Sequence, residues 1–116
     1  MNIVAHNIEE FKIAEIKSDE VVINSIQDGL DVLGNVYYQG FDKVIILKEN
    51  ITSDFFNLKN GIAGEILQKF SNFRIRLAIV GDFSTFTSKS INSFIYESNK
   101  GQQITFVRSI SEALRY

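Results

Sequence analysis

The spacing of apolar positions changes several times along this chain, and each change predicts an element. Two short runs open it, over 2–6 and 11–16. The second alternates, with Phe11, Ile13 and Glu15 on one face and Lys12, Ala14 and Ile16 on the other. The polar stretch 7–10 turns between them, which predicts a hairpin. Ile23, Ile26, Leu30, Leu33 and Tyr37 then recur at steps of three and four, one face of a helix. Ser18 or Asp19 can cap its start and Gly40 its end. Val44-Ile45-Ile46-Leu47, between Lys43 and Lys48, reads as a strand buried on both faces, the mark of a parallel sheet. A second helix carries Ile62, Ile66, Phe70 and Phe73. A second buried strand, Leu77-Ala78-Ile79-Val80, closes at Gly81-Asp82. Ile91, Phe94, Ile95 and Ser98 form a third helix that Lys100-Gly101 ends, and 104–107 is a last strand. Ser109-Ile110-Ser111-Glu112 is a capping box opening a short terminal helix. The order β-β-α-β-α-β-α-β-α predicts an α/β fold, with a mostly parallel sheet and right-handed crossovers.

Composition narrows the chemistry. The 116 residues are 45% hydrophobic and 22% charged, with a net charge of −2. That is one domain, 1–116, able to bury roughly two-thirds of the surface its unfolded chain exposes. There is no proline, linker, repeat or low-complexity stretch. With no cysteine and His6 alone, a structural zinc site, an iron–sulfur cluster, thiol catalysis and disulfides are excluded, and no cofactor is implied. A pI near 5.3 argues against nucleic acid as a partner, since phosphate contacts need a basic face. The first residues lack the basic and apolar regions of a signal peptide, and no run of about 18 apolar residues crosses a membrane. A soluble cytoplasmic protein with no membrane partner is the expectation.

In an open α/β sheet, ligands sit beyond the carboxyl ends of the strands. Here those ends are 48–61 and 81–89, both rich in short oxygen-bearing side chains and both leading into a helix whose free amides favour an anion. Lys59 and Lys89 stand beside them as cations, and Asp54 and Asp82 could act as a base or a magnesium ligand. The plainer reading makes Ser53, Asn60 and Ser88 caps, and the two aspartates turn formers. Ser53, Ser84 and Ser88 have no base at hand and no nucleophile elbow. Gly61 and Gly64 open the second helix without a phosphate-loop pattern, and close helix–sheet packing is their expected role. His6 is expected to be a satisfied structural residue, and Asp28 and Asp31 a solvated helix face. Asn50-Ile51-Thr52 matches a glycosylation sequon, which matters only on secretion. Phe55 and Phe56 are adjacent and not easily both inward. With Phe83 and Phe86 they could rim this end of the sheet, although burial of most of them is the default.

Three stretches carry a resemblance: Ala63-Gly64-Glu65-Ile66-Leu67-Gln68-Lys69-Phe70, Leu77-Ala78-Ile79-Val80-Gly81-Asp82-Phe83-Ser84 and Phe94-Ile95-Tyr96-Glu97-Ser98-Asn99. Over nearly the whole chain they resemble the bacterial domain-of-unknown-function family 4180. More loosely, the opening hairpin, the βα units and the closing Ser-x-x-Glu-Ala-Leu resemble STAS domains, the anti-anti-sigma-factor-like fold. In those factors a serine before the second helix is phosphorylated by a partner kinase, whereas Lys59 or Asn60 stands at that position here. What the resemblance implies is a partner surface around that loop.

The expected function is thus a non-enzymatic regulatory module that meets a protein partner through 54–64 and 81–89. Its contact residues would be Asp54, Lys59, Asn60, Gly61, Gly64, Asp82, Ser84, Ser88 and Lys89. The alternative is a binder of a small anion or nucleotide at the same strand ends, with Asp54 or Asp82 as acid/base if it is an enzyme. Homodimerisation through the edge strand or the aromatic rim is a third expectation.

Overall fold

A computed structural model describes residues 1–115. Five strands form one sheet in the order β1-β2-β3-β4-β5: β1 (Asn2–Ile8), β2 (Phe11–Lys17), β3 (Lys43–Leu47), β4 (Arg76–Val80) and β5 (Ile104–Val107). Helices α1 (Ile26–Tyr38), α2 (Ile62–Asn72) and α3 (Lys89–Asn99) connect β2 to β5, and α4 (Ile110–Ala113) follows β5. β1 and β2 pair antiparallel, and every later pairing is parallel.

Because β2 to β5 are added in sequence, each right-handed crossover lays its helix on the same face. That face holds the main core, where Ala14, Ile16, Val44, Ile46, Leu77, Ile79, Ile104 and Phe106 meet Val32, Leu33, Val36, Ala63, Ile66, Phe70 and Ile91. The opposite face presents Ile13, Ile45, Ala78 and Val80 to Ala113, with Ile110 and Leu114 alongside. β3 and β4 are therefore buried on both faces, as their unbroken apolar runs require. Lys43, read as a flank, is instead wholly buried on the second face.

The first helix begins later than the spacing suggests. Ile23 belongs to an isolated parallel bridge with Ile51, and Ser25 is the cap, accepting from the Asp28 amide at 3.1 Å. Asp28 in turn accepts from the Asn24 amide, one residue before the cap, at 2.9 Å, so it ties down the helix start and is not a bare solvated side chain. Ile23 matched the helical phase only because it is core by another route, 1% exposed at the end of an extended loop. Phe73 lies just past α2, its exposed ring edge-on to Tyr37. The hairpin turn is shorter than expected, with Glu9 at a positive φ of 56° between paired Ile8 and Phe11.

Where α1 crosses α2, Gly29 leaves no room: a Cβ there would lie 2.6 Å from Ile66 Cδ1. Gly29→Ala is therefore expected to destabilise the fold by about 1–2 kcal/mol, overpacking outweighing the better helix propensity of alanine. A urea midpoint equal to or above that of the unchanged chain would refute it.

Candidate functional site

The loop after β3 is built of three short 3-10 turns, Lys48–Asn50, Ser53–Phe56 and Leu58–Asn60. Thr52 Oγ1 caps the middle one from the Asp54 amide. Asn60 closes the last stretch on itself, its amide nitrogen donating to the Asp54 carbonyl at 2.7 Å and its oxygen accepting from the Ile62 amide at 2.9 Å. Gly61, at φ +81°, then turns the chain into α2 in a conformation that side chains rarely adopt. A Cβ at Gly61 or Gly64 would meet nothing within 4 Å, so neither glycine serves the close packing expected of it. Gly64 sits on the exposed side of α2.

Phe55 and Phe56 are both buried, contrary to the expectation for adjacent residues. A 3-10 turn advances each side chain by about 120°, so neighbours can both turn into a concave wall. Phe55 enters the main core, and Phe56 packs against Phe83 and Phe86 at ring-centroid distances of 6.2 and 5.1 Å. Phe83 continues edge-on to Phe106 on β5. The aromatic rim is thus mostly a wall tied to the core.

The loop after β4 is organised by Asp82. Its Oδ1 accepts from the Ser84 hydroxyl at 2.6 Å and the Ser84 amide at 2.9 Å. Those two bonds hold the Asp82 carboxyl below its ordinary range against an opposing effect of burial, and Lys48 and Arg108 add smaller pulls in the same downward direction. Lys48, the first residue past β3, reaches across to donate to the Asp82 carbonyl at 2.8 Å, and its ammonium lies 4.6 Å from the Phe86 ring centre. Gly81 permits that crossing, because a Cβ there would stand 2.6 Å from Lys48 Cβ.

Between these loops lies an open cleft of about 570 Å³ whose walls include Ile51, Phe56, Val80 and Phe86, with Lys48 and Asp82 at its rim. A second groove of about 440 Å³ shares Ser53, Phe56 and Phe86 and extends past Lys59, Thr85, Thr87 and Ser88. A shallow depression beyond Asp82 is lined by Gly81, Ser84 and Arg108.

Of the residues singled out from sequence, the structure brings Asp82 and Ser84 together at one end of this trough, and Lys59 and Ser88 to the other. Asp54, Asn60, Gly61, Gly64 and Lys89 line none of the three depressions. Ser88 precedes α3 without a side-chain capping bond. Sequence reasoning missed Lys48 and Arg108. Each directly follows a parallel strand, and that position was the signal: it is where an open sheet presents side chains to a ligand. His6 is satisfied as expected, with Nε2 2.8 Å from Glu15 Oε1. Asn50 is buried, and its amide nitrogen is bonded to the Ser18 and Glu20 carbonyls, so the folded chain offers no glycosylation site there. Among the described residues no cluster of three His, Asp or Glu side chains could hold a metal ion, and no helix is long and apolar enough to cross a membrane.

No curated protein and no solved structure matches this chain. A family model does, over residues 8–116, and its description is a domain of unknown function. With the hairpin's second strand, the whole parallel sheet and the trough at its carboxyl end inside that match, the chain belongs to the DUF4180 family.

Proposed function

We propose that this chain is a regulatory interaction module of the STAS-like kind, which takes an extended partner segment with an apolar anchor into the trough at the carboxyl end of its sheet. One observation carries the reading: Asp82, Ser84 and Asn60, polar side chains that suggested chemistry, are engaged with their own loops, while the space between the loops is mostly apolar. Asp82 is closed on Ser84, and Asn60 on its own turn. The floor of the cleft is apolar, formed by Ile51, Phe56, Val80 and Phe86, and Lys48, Glu49, Ser53 and Asp82 line it as well. Such a surface suits an aromatic or aliphatic anchor. The opening hairpin and the βα units that follow it support the STAS-like reading.

A second reading, a small anion held near Lys48 and Arg108, is favoured by the placement of those two cations around the 81–84 loop. It requires the anion to displace Asp82, which stays ionised there and repels it.

A displayed-peptide selection separates the two. Peptides with an apolar anchor should be enriched on the unchanged chain. They should lose about tenfold or more in affinity on Lys59→Glu or Thr85→Arg, both exposed on the groove and tolerable to the fold. Failure to enrich any such peptide, together with a thermal shift by phosphate or nucleotides that Arg108→Ala abolishes, would overturn the module in favour of the anion site.

A further inference from the structure

The two edges of the sheet are treated differently. On β5, the outward amide and carbonyl of Phe106 are both taken by the side chain of Asn99, which accepts at 2.7 Å and donates at 3.1 Å. With a strand of only four residues, that edge is closed to another chain. Among the described residues, none covers β1 in this way. It runs seven residues in unbroken register with β2, without a bulge or proline, and His6 is its only ionisable side chain. Native edges are ordinarily guarded by charge, proline, bulges or shortness. β1 carries none of these.

Which of its backbone groups face outward follows from β2. The Lys12 amide and carbonyl both bond Asp42, on the β3 side. Phe11, Ile13, Glu15 and Lys17 therefore bond β1, through Ile8, His6, Val4 and Asn2. The outward groups are those of Ile3, Ala5 and Asn7.

We propose that β1 pairs antiparallel with β1 of a second copy about a two-fold axis at Ala5, joining the two sheets into one. The strand is self-complementary in that register. Ala5 meets its own copy, and Ile3 meets Asn7 twice, so all three outward positions of each strand are used. On one face Ala14 and Ala5 of each chain form a row of four small side chains across the axis. On the other, Val4 faces the partner's His6, and Ile8 faces the partner's Asn2, covering apolar side chains left 37–38% exposed in one copy. No charged side chain falls opposite a like charge: Lys12 and Lys17 look across at Ile3 and Ile8 of the other strand pair through Asn7 and Asn2, and Glu15 looks at His6 through Val4. An unrelated strand would satisfy the backbone equally, but this match of side chains is specific to a second copy.

The test is solution mass by light scattering across a protein concentration series. The expected result is a species of twice 13.2 kDa. Ala5 is exposed in one copy, so Ala5→Lys and Ala5→Glu should each fold, and each should run as a monomer because like charges meet at the axis. Mixing the two should restore the dimer. Ala5→Pro, which removes an outward amide and leaves the β2 pairing intact, should also be monomeric. A monomer at every concentration, a dimer that persists in Ala5→Lys and Ala5→Pro, or failure of the mixture to pair would overturn the proposal.

Discussion

Replacing Asn50 with alanine should lower the unfolding free energy by about 2–4 kcal/mol, because two carbonyl acceptors lose their donor at once. The Asn50 side chain is 1% exposed, and its amide nitrogen donates to the Ser18 and Glu20 carbonyls at 2.9 and 2.8 Å. Its own backbone carbonyl receives the Val22 and Ile23 amides. One residue at the end of a 3-10 turn thus clamps the β2–α1 loop onto the β3–α2 loop and holds the Ile23–Ile51 bridge in place. Urea unfolding should show a lower midpoint with an unchanged slope, since the surface exposed on unfolding is nearly the same. Asn50→Asp should be worse at neutral pH. Its carboxylate would face two carbonyl oxygens, which raises its folded pKa above the ordinary aspartate value. The folded-state penalty is then absent below that ordinary value and grows as pH rises, so this variant should recover stability on acidification while Asn50→Ala does not. Equal stability of all three chains would remove the clamp.

That clamp marks the boundary of what the sequence made legible. Strand positions followed directly from 44–47 and 77–80, because residues buried on both faces leave an unbroken apolar run that no solvent-facing element produces. The alternation of strands and helices implied parallel pairing with right-handed crossovers, whereas the common face of α1, α2 and α3 depends on the strand order. The rule for open sheets pointed to the two loops between which the trough lies. Its contents were not, since proximity across a fold has no local signature. Lys48 looked like a strand flank until it was seen to cross Gly81 toward Asp82. Asn50 looked like a glycosylation acceptor until its burial gave it structural partners. The 48–61 loop carried the composition of a ligand site, yet its Thr52 and Asn60 side chains serve the turns themselves, because short oxygen side chains satisfy free backbone amides as readily as they bind an anion. The edges of the sheet show the same limit. β1 is visible as a short opening run, but the side-chain block on β5 depends on Asn99 reaching it from α3.

Raising the pH from 8 toward 10 should stabilise this protein, against the usual trend for alkaline titration. The cause is Lys43, wholly buried on the second face of the sheet, where its ammonium donates to the Ala113 carbonyl of α4. Removal from water lowers its pKa from 10.5 to about 8, with a further push from the nearby Arg76 cation. The sign follows from proton counts. Between about 8 and 10.5 the unfolded chain keeps the Lys43 proton while the folded chain has released it. The unfolded state then binds more protons, so unfolding becomes harder as pH rises through that window. Below it both states are protonated, and the folded state carries the full cost of a buried charge, at most about 3 kcal/mol for a shift of this size. Lys43→Met removes the titrating group. It leaves the Ala113 carbonyl without that donor, so its effect at neutral pH combines a relieved charge with a lost bond. The pH slope isolates the charge. Urea midpoints measured at pH 7, 8, 9 and 10 should climb in the unchanged chain relative to Lys43→Met. Parallel profiles for the two chains would mean that Lys43 keeps its proton in the fold at pH 10, stabilised in place by its partners as well as it is by water.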